Sequence, residues 1–317
     1  MKKDLLTILD LTQEEILYLL RRAKELKADL KAGQSHLTLQ GKVMAMIIKK
    51  PSTRTRVSFQ TGFFHMGGLA LDLNLDTLQS GRGEPIQDTA RVLSRYVDII
   101  LMRTFAHQEA EDLARFSTIP VINGLTDLCH PCQVLSDLLT IQEHLGDLKK
   151  AHIAYVGDGN NVAHSLLNAT GLMGMNLYMA CPEGYEPQQQ IVACASDLAR
   201  QSGGCIRIFE DPAETVSSAN IIYTDVWISM GQEKEAEEKR RIFSDFQINK
   251  KLVDMAQPNV LIMHCLPAHR GEEITDDMLE GPNAVIFDQA ENRLHVQKAI
   301  VETLIMENAK CKVQNEK

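Results

Sequence analysis

The strongest constraint on the fold of this 317-residue chain is a regular alternation of short apolar runs with longer amphipathic segments. Each run has the length and apolar character of a strand that is buried on both faces. Strands that alternate with helices predict βαβ units, and hence parallel sheets covered by helices on both faces. The runs predicted to be strands are residues 43–48, 97–102, 119–122, 152–156, 177–180, 206–209, 220–224, 260–263 and 285–287.

The domain organisation follows from the length of the chain and from the spacing of these strands. The length is typical of two domains. The spacing changes around residues 133–150, where a helix-like stretch ends at Gly146. We therefore predict two doubly wound α/β domains, residues 1–146 and 147–290. A final helix at 291–308 could belong to either domain, and we expect it to pack back onto the first.

The composition excludes several classes of protein. Apolar residues make up 44% of the chain and charged residues 24%, ordinary values for a globular protein with a sizeable core. A net charge of -9 offers no basic face for nucleic acid or an anionic membrane, although it permits a local cationic pocket. No apolar run is long enough to span a membrane, and the N-terminal segment turns acidic before a signal-peptide core develops. Seven scattered cysteines predict free thiols. We expect a cytoplasmic enzyme with no nucleic-acid or membrane partner.

Unusual polar residues follow the predicted strands in both halves of the chain. Because the carboxyl ends of parallel strands meet at one edge of a sheet, ligands of such folds bind there. Two such edges that face each other form a cleft, a frequent place for a small-molecule site. We therefore expect the active site in the cleft between the two domains. The polar segments are residues 52–56, Arg103, Asn123, 130–133, 157–161, Asp225 with 229–231, and 264–267.

Residues 52–56, Ser-Thr-Arg-Thr-Arg, follow the first strand and open an apolar helix. A helix N-terminus carries partial positive charge, so two arginines in its first turn are unfavourable unless an anion joins them. Helix amides, hydroxyl groups and guanidinium groups together favour a phosphate site. The alternative, a solvated basic turn, must explain three hydroxyl groups interleaved with two arginines. The segment is not a P-loop, because the glycines and the terminal Lys-Ser/Thr are missing.

Two other motifs suggest cofactors, and both signals are weak. Cys129 and Cys132 form a CxxC pair that, with His130 and the distant residues 264–265, suggests zinc. No second closely spaced pair completes four ligands. Residues 157–161, Gly-Asp-Gly-Asn-Asn, lack the third glycine of a dinucleotide fingerprint. We expect no metal and no organic cofactor.

Three motifs occur in the order and spacing of a known family: residues 52–56 (STRTR), 130–133 (HPCQ) and 264–267 (HCLP). Through them the chain resembles the aspartate/ornithine carbamoyltransferase family over almost its whole length. Residues 225–231, Asp-Val-Trp-Ile-Ser-Met-Gly, resemble the ornithine-specific branch. The resemblance implies transfer of the carbamoyl group of carbamoyl phosphate to the δ-amine of L-ornithine. The products would be L-citrulline and phosphate, in arginine biosynthesis or, in reverse, in arginine catabolism.

The resemblance also implies which residues bind carbamoyl phosphate. His130 and Gln133 would hold the carbamoyl group with help from Arg103 and Thr55, since fixed donors stabilise the negative charge of the transition state. Arg103 and His130 are therefore also candidate catalytic residues. A loop that contains Gln79 would reach into a neighbouring subunit, which implies a homotrimer with shared sites. The full implied set is Ser52, Thr53, Arg54, Thr55, Gln79, Arg103, His130, Gln133, Leu266 and Arg293.

The amino-acid substrate is implied to bind in the second half of the chain. The resemblance assigns Asn161, Asp225, Ser229 and Met230 to ornithine, and Cys265 to catalysis. An amine with the pKa of lysine, about 10.4, needs roughly 4.6 kcal/mol to lose its proton at pH 7. Cys265 and Asp225 would help that proton to leave. The residues alone leave other interpretations open, with Cys265 as a buried structural thiol and Met230 as a core residue.

The sequence is compatible with other functions as well. A putrescine or other amine carbamoyltransferase would keep the phosphate site, but putrescine has no carboxylate and does not need the loop at residues 229–231. An aspartate carbamoyltransferase would need extra cations for a dicarboxylate. A non-enzymatic binding protein with the same fold is a third possibility, although it would not need the complete set of polar residues that follow the strands.

Overall fold

Parallel strands joined by helices dominate the secondary structure. The structure is a computed structural model that describes residues 2–73, 84–228 and 236–315, with side chains described up to residue 309. The strands are β1 (Val43–Ile48), β2 (Leu69–Leu73), β3 (Ile99–Arg103), β4 (Val121–Leu125), β5 (His152–Val156), β6 (Asn176–Ala180), β7 (Cys205–Phe209), β8 (Ile221–Thr224) and β9 (Leu261–His264). The helices are α1 (Gln13–Lys31), α2 (Thr53–His65), α3 (Ile86–Tyr96), α4 (His107–Phe116), α5 (Pro131–Leu145), α6 (Asn161–Met173), α7 (Gln189–Ser202), α8 (Pro212–Val216), α9 (Ala236–Ile242), α10 (Lys250–Val253), α11 (Asp276–Leu279) and α12 (Ile286–Asn315).

The strands form two separate sheets, one in each of two units. Unit 1 comprises Met1–Leu135 and Asn292–Lys317, and unit 2 comprises Ser136–Glu291. Every strand pairing in both sheets is parallel. The prediction of two parallel-sheet α/β domains is therefore confirmed. The predicted domain junction near residue 146 stays a prediction. The boundary between the two units falls between Leu135 and Ser136, inside α5, which ends at Leu145.

The sheet of unit 1 has the strand order β2-β1-β3-β4. All residues of β3 are buried, which explains why this strand is visible in the sequence as a continuous apolar run. Strand β2 was not predicted. It lies at the edge of the sheet, Leu69 is 57% exposed, and Asp72 interrupts its apolar residues. An exposed edge strand of this kind lacks the continuous apolar run of a buried strand.

The sheet of unit 2 has the strand order β7-β6-β5-β8-β9. The prediction of a further strand at residues 285–287 is wrong, because α12 begins at Ile286. The segment before α12 still lies along the edge of β9: Ile262 N–H donates to Asn283 O at 2.9 Å, and Val285 N–H donates to Ile262 O at 3.0 Å. The apolar run therefore covers an edge strand without forming a strand itself.

Capping side chains explain where several helices begin. The Thr12 hydroxyl accepts a hydrogen bond from Glu15 N–H at 3.2 Å, and the Glu15 carboxylate accepts one from Thr12 N–H at 2.9 Å, which forms a capping box before α1. Asn160 caps α6 with its side-chain oxygen, which accepts hydrogen bonds from the N–H groups of Val162 and Ala163. In the described parts of the chain, no helix is both long enough and apolar enough to cross a membrane.

Candidate active site

The predicted anion-binding motif forms the beginning of α2, at the carboxyl end of β1. Ser52 is the N-cap of this helix, and its Oγ accepts a hydrogen bond from Thr55 N–H at 3.2 Å. Thr53 is the first helical residue and is exposed, whereas Thr55 is fully buried. The first turn contains no acidic residue, so nothing in the turn offsets the positive end of the helix. A helix N-terminus of this kind favours an anion.

The two arginines of this turn have different surroundings. Arg56 Nε lies 2.8 Å from Asp72 Oδ2 in a solvent-exposed ion pair. Arg54 Nε is buried and has no hydrogen-bond partner among the described residues. A buried donor without a partner has lost its hydration without compensation, and a bound anion would supply the acceptor. Arg54 rather than Arg56 is therefore the candidate phosphate ligand.

Arginine side chains also hold together the other predicted residues of unit 1. Arg293 donates from Nη2 to Thr55 Oγ1 at 2.9 Å and from Nη1 to Gln133 Oε1 at 3.1 Å. Arg103, at the end of β3, donates from Nε to the Lys50 carbonyl oxygen at 2.8 Å. All five residues are buried. These contacts orient several donors in one water-poor region, which is the requirement for electrostatic stabilisation of a charged transition state.

His130 lies within this group of cations and is 4% exposed. Burial is the largest cause that lowers its pKa well below the usual value, and the positive charges of Arg293, Arg103, Arg54 and Lys50 lower it further. The imidazole is therefore neutral at neutral pH, and it can donate one hydrogen bond without adding positive charge. Four cations around one neutral histidine form a site suited to a multiply charged anion.

Lys50 belongs to this cationic site, although no motif singled it out. The residue is 5% exposed, and its Nζ lies 2.9 Å from Asp127 Oδ1 and 5.3 Å from the centroid of the Phe105 ring. It comes between β1 and Pro51, so it lies at the same sheet edge as the start of α2. The available sequence signal was a pair of lysines, residues 49 and 50, between a buried strand and the anion-binding motif.

In unit 2, the ends of β8 and β9 bring Asp225 and Cys265 together. The two strands pair with Thr224 opposite His264, so the residues that follow them are neighbours. The Cys265 thiol donates a hydrogen bond to Asp225 Oδ1 with an Sγ–Oδ1 distance of 2.9 Å. Asp225 is buried. A carboxylate in contact with a thiol can orient an incoming amine and accept or pass on its proton.

Asp225 is itself held by two further donors. Asn160 Nδ2 donates to Asp225 Oδ2 at 2.8 Å, and Val226 N–H donates to Oδ1 at 2.8 Å. The Asn160 side-chain oxygen at the same time caps α6. Asn160 was not among the predicted residues. Asn161, predicted to contact ornithine, is the first residue of α6 and is largely buried, and its role stays a prediction.

The backbone at Leu266 is held in an unusual conformation by a buried histidine. Leu266 has a φ of 59°, in the left-handed region that is costly for a branched residue. Its N–H donates to His264 Nδ1 at 2.9 Å, so the ring proton is on Nε2, which donates to Glu273 Oε1 at 2.9 Å. His264 and Glu273 are fully buried. This chain of hydrogen bonds orients the peptide that follows Cys265.

The dinucleotide interpretation of residues 157–161 fails for lack of space. A Cβ atom at Gly159 would lie 2.3 Å from Pro187 N, so the glycine makes room for another segment of the chain and not for a pyrophosphate. Asp158 lies in a largely buried ion pair, with its Oδ2 2.8 Å from Lys239 Nζ. These residues shape the fold of unit 2.

The zinc interpretation of the CxxC pair also fails. Cys129 Sγ donates to Leu6 O at 3.4 Å, and Cys132 Sγ donates to Asn123 O at 3.5 Å. Burial raises the pKa of both thiols to about 12, which favours the protonated thiols in the metal-free protein. Within the described residues, the groups that bring three potential metal ligands within 4.8 Å of one another are Asp225, His264 and Cys265, and His269, Glu272 and Glu273. Both ring nitrogens of His264 already have hydrogen-bond partners.

The predicted residues that the structure describes divide into two groups, one in each unit. Gln79, Ser229 and Met230 lie outside the described residues. Unit 1 contains the cationic group, which consists of Ser52, Thr53, Arg54, Thr55, Arg103, His130, Gln133 and Arg293. Unit 2 contains Asn161, Asp225, Cys265 and Leu266.

The fold and these two groups define an α/β enzyme with two parallel-sheet domains, one with a candidate anion site and one with a carboxylate–thiol pair. Residues 3–143 match the model of the aspartate/ornithine carbamoyltransferase carbamoyl-P binding domain. Residues 149–304 match the model of the Asp/Orn binding domain of the same family. The chain belongs to the aspartate/ornithine carbamoyltransferase family.

Individual relatives extend this result. The chain is 55% identical over 299 residues to an anabolic ornithine carbamoyltransferase of Pyrococcus furiosus, with 94% of this chain and 95% of the relative covered. It is 53% identical to an ornithine carbamoyltransferase of Geobacillus stearothermophilus, with 94% and 96% covered. Among solved structures, an anabolic ornithine carbamoyltransferase of Campylobacter jejuni has a TM-score of 0.89 at 40% identity, with 95% of this chain and 98% of that chain covered.

Proposed function

We propose that this chain transfers the carbamoyl group of carbamoyl phosphate to the δ-amine of L-ornithine, which yields L-citrulline and phosphate. The observation that carries the proposal is the cationic site of unit 1, in which Arg54, Arg103, Arg293 and Lys50 surround the buried neutral His130. Such a site fits a small, multiply charged anion with a polar carbonyl group. The names of the relatives, ornithine carbamoyltransferases at 53% and 55% identity, support ornithine as the acceptor.

In this proposal, carbamoyl phosphate binds first, in unit 1. The phosphate group lies at the N-terminus of α2 and takes hydrogen bonds from the turn at Ser52–Thr55 and from Arg54, whose Nε has no partner among the described residues. The carbamoyl group is held by His130 and Gln133. Arg103 is near the same histidine, and its charge favours the negative charge that develops on the carbonyl oxygen.

Ornithine is the acceptor, and its δ-amine must lose a proton before it attacks. With a pKa of about 10.4 for an amine of this kind, deprotonation at pH 7 requires roughly 4.6 kcal/mol. The Asp225–Cys265 pair is the group in unit 2 that can receive or relay this proton. The neutral amine attacks the carbonyl carbon directly, the carbon–oxygen bond to phosphate breaks, and phosphate leaves with its electron pair and takes up the second proton of the amine. No covalent enzyme intermediate is needed.

We further propose that the active form is a homotrimer. An apolar surface on α2 and β2 supports an assembly, since Phe64 is 74% exposed and Val57 and Leu69 are also exposed. Exposed apolar patches of this kind mark protein interfaces. Light scattering coupled to size-exclusion chromatography measures the mass directly, and Phe64→Glu is expected to lower it. A monomeric mass for the unmodified protein would contradict the proposal.

The cellular context is proposed from the cysteines and the relatives. The cysteines among the described residues are free, which suits a reducing cytoplasm. Relatives named anabolic support a role in arginine biosynthesis.

The decisive experiment is a steady-state assay with carbamoyl phosphate and three acceptors in parallel: L-ornithine, putrescine and L-aspartate. We expect kcat/KM for ornithine to exceed that for either competitor by at least about 100-fold. Putrescine lacks the α-carboxylate of ornithine and L-aspartate lacks its δ-amine, and a site with polar groups for both rejects acceptors that leave one of them unpaired. A preference for putrescine would keep the anion site and overturn the ornithine assignment. Absence of transfer to all three amines would support a binding protein.

A further inference from the structure

A glutamine side chain completes the open edge of the unit 2 sheet where β9 ends. In the described part of the chain, strand β9 is the last strand of this sheet, so its outward N–H groups face no neighbouring strand there. The His264 N–H instead donates to Gln289 Oε1 at 3.0 Å. His264 is the residue directly before Cys265. The side chain of one helical residue therefore replaces the strand partner next to the candidate catalytic thiol.

Two buried residues determine which way the Gln289 amide points. Gln289 Nε2 donates to Asp137 Oδ1 at 2.8 Å and to Tyr223 Oη at 3.0 Å. The Tyr223 hydroxyl donates to Asp137 Oδ2 at 3.1 Å. A carboxylate accepts hydrogen bonds and cannot donate them, so the amide nitrogen must face Asp137 and the amide oxygen must face His264. All three side chains are at most 1% exposed.

The same network contacts both strands that carry the carboxylate–thiol pair. Tyr223 lies on β8, two residues before Asp225, and His264 lies on β9, one residue before Cys265. Burial and the charge of Asp137 raise the pKa of Tyr223 well above its usual value, so the hydroxyl keeps the proton that it donates. A one-ångström displacement of reacting groups costs about 100-fold in rate.

We infer that Asp137, Gln289 and Tyr223 are positioning residues, which act through His264 and hold the Asp225–Cys265 pair in its reactive geometry. The inference rests on the proposed function. None of the three side chains needs to touch a substrate. Their effect is expected in the catalytic rate and in the environment of the Cys265 thiol, and not in the binding of carbamoyl phosphate.

The test exchanges the amide and the carboxylate between two positions. Gln289→Glu places two carboxylates in buried contact, and kcat is expected to fall about 100-fold with little change in KM for carbamoyl phosphate. Asp137→Asn combined with Gln289→Glu restores one carboxylate and one amide with the donor and acceptor roles reversed. The double variant is expected to recover kcat to within about tenfold of the unmodified enzyme. Failure of this rescue in a folded double variant would overturn the inference.

A second measurement does not depend on turnover. The rate at which iodoacetamide alkylates Cys265, followed by mass spectrometry of its peptide, is expected to rise several-fold in Tyr223→Phe and Gln289→Glu, because the thiol is released from Asp225. Tyr223→Phe keeps the ring and is the deciding variant where Gln289→Glu does not fold. If the unmodified protein proves inactive, the proposed function fails, and the alkylation rates still test the positioning role.

A matched control is available at the opposite end of the same two strands. Gln257 Nε2 donates to Ser218 O at 2.9 Å in an exposed position. Gln257→Glu is expected to leave kcat and the alkylation rate of Cys265 unchanged. Equal effects of Gln257→Glu and Gln289→Glu, or unchanged kcat and alkylation in folded Tyr223→Phe and Gln289→Glu, would overturn the inference.

Discussion

Cys265 Sγ lies 2.9 Å from Asp225 Oδ1 because two adjacent parallel strands end at the same level. The pairing of Thr224 with His264 fixes the level of both chain segments, and a slip of one residue would turn each side chain to the opposite face. The carboxylate also receives hydrogen bonds from Asn160 and from the backbone of Val226. The proton-handling pair therefore depends on the register of one sheet.

Replacement of the carboxylate tests this pair directly. In Asp225→Asn the side chain keeps its size but can no longer receive a proton, so kcat for carbamoyl transfer is expected to fall by about 10²–10⁴-fold. The binding of carbamoyl phosphate should change little, since most of the residues implied to bind it lie in unit 1. Asp254→Asn, in an exposed ion pair with Lys250, is the control and should retain full activity. A kcat for Asp225→Asn close to that of the control would contradict the assignment.

The start of α2 offers a comparison of two arginines that are two residues apart. Arg54→Met removes a buried donor and is expected to weaken carbamoyl phosphate about 10–150-fold, the effect of losing hydrogen bonds to a charged group. Arg56→Met removes a surface ion pair with Asp72 and should change affinity less than about threefold. Equilibrium binding of carbamoyl phosphate measures both. Equal losses in the two variants would show that only the total charge matters.

The sequence was most informative where a local pattern carries the constraint. Residues 52–56 combine a helix start with two arginines and no acidic residue, and this conflict with the helix dipole can be recognised without a structure. The buried strands of both sheets can also be recognised locally, because a strand that is buried on both faces is a continuous apolar run. The family resemblance then supplied roles for individual residues that the pattern alone does not provide.

The sequence was less informative where contacts between residues far apart in the chain determine the structure. Gln289 completes an edge of β9 and contacts Asp137, 152 residues away, and no local pattern marks either side chain. The contact of Asn160 with Asp225, 65 residues away, depends on the geometry at the start of α6, which no local pattern reveals. The apolar residues around Val285 were misread as a strand because a segment that covers a sheet edge has the same composition as a strand.

The low pKa of His130 predicts how stability depends on pH. The folded protein keeps this histidine neutral, whereas in the unfolded chain it binds a proton below about pH 6.5. The unfolded state then binds more protons, so His130 lowers the free energy of unfolding as pH falls, by up to about 1.4 kcal/mol per pH unit. His130→Gln removes this term. Urea unfolding of both proteins between about pH 7 and 5.5 should give a difference that changes with pH. A constant difference would contradict the pKa assignment.

Lys239 and Asp158 form a largely buried ion pair in unit 2. Lys239 is 2% exposed, and its Nζ lies 2.8 Å from Asp158 Oδ2 and 3.0 Å from Trp227 O, so it ties α9 to the segment after β5. Burial raises the pKa of Asp158, and Lys239 opposes that rise. The lysine therefore keeps a buried carboxylate charged. Its removal leaves that charge without its cation.

Lys239→Met should lower the free energy of unfolding by roughly 3–5 kcal/mol at neutral pH, the usual cost of breaking a buried ion pair. The pKa of Asp158 then rises further, so Asp158 takes up a proton more readily and the cost of the substitution shrinks as pH falls. Urea unfolding at two pH values measures both effects. Asp158→Asn should recover part of the loss when combined with Lys239→Met, and Lys250→Met, in the exposed pair with Asp254, should cost less than about 1 kcal/mol. Equal costs for the two lysines would mean that the buried pair adds no more stability than a surface one.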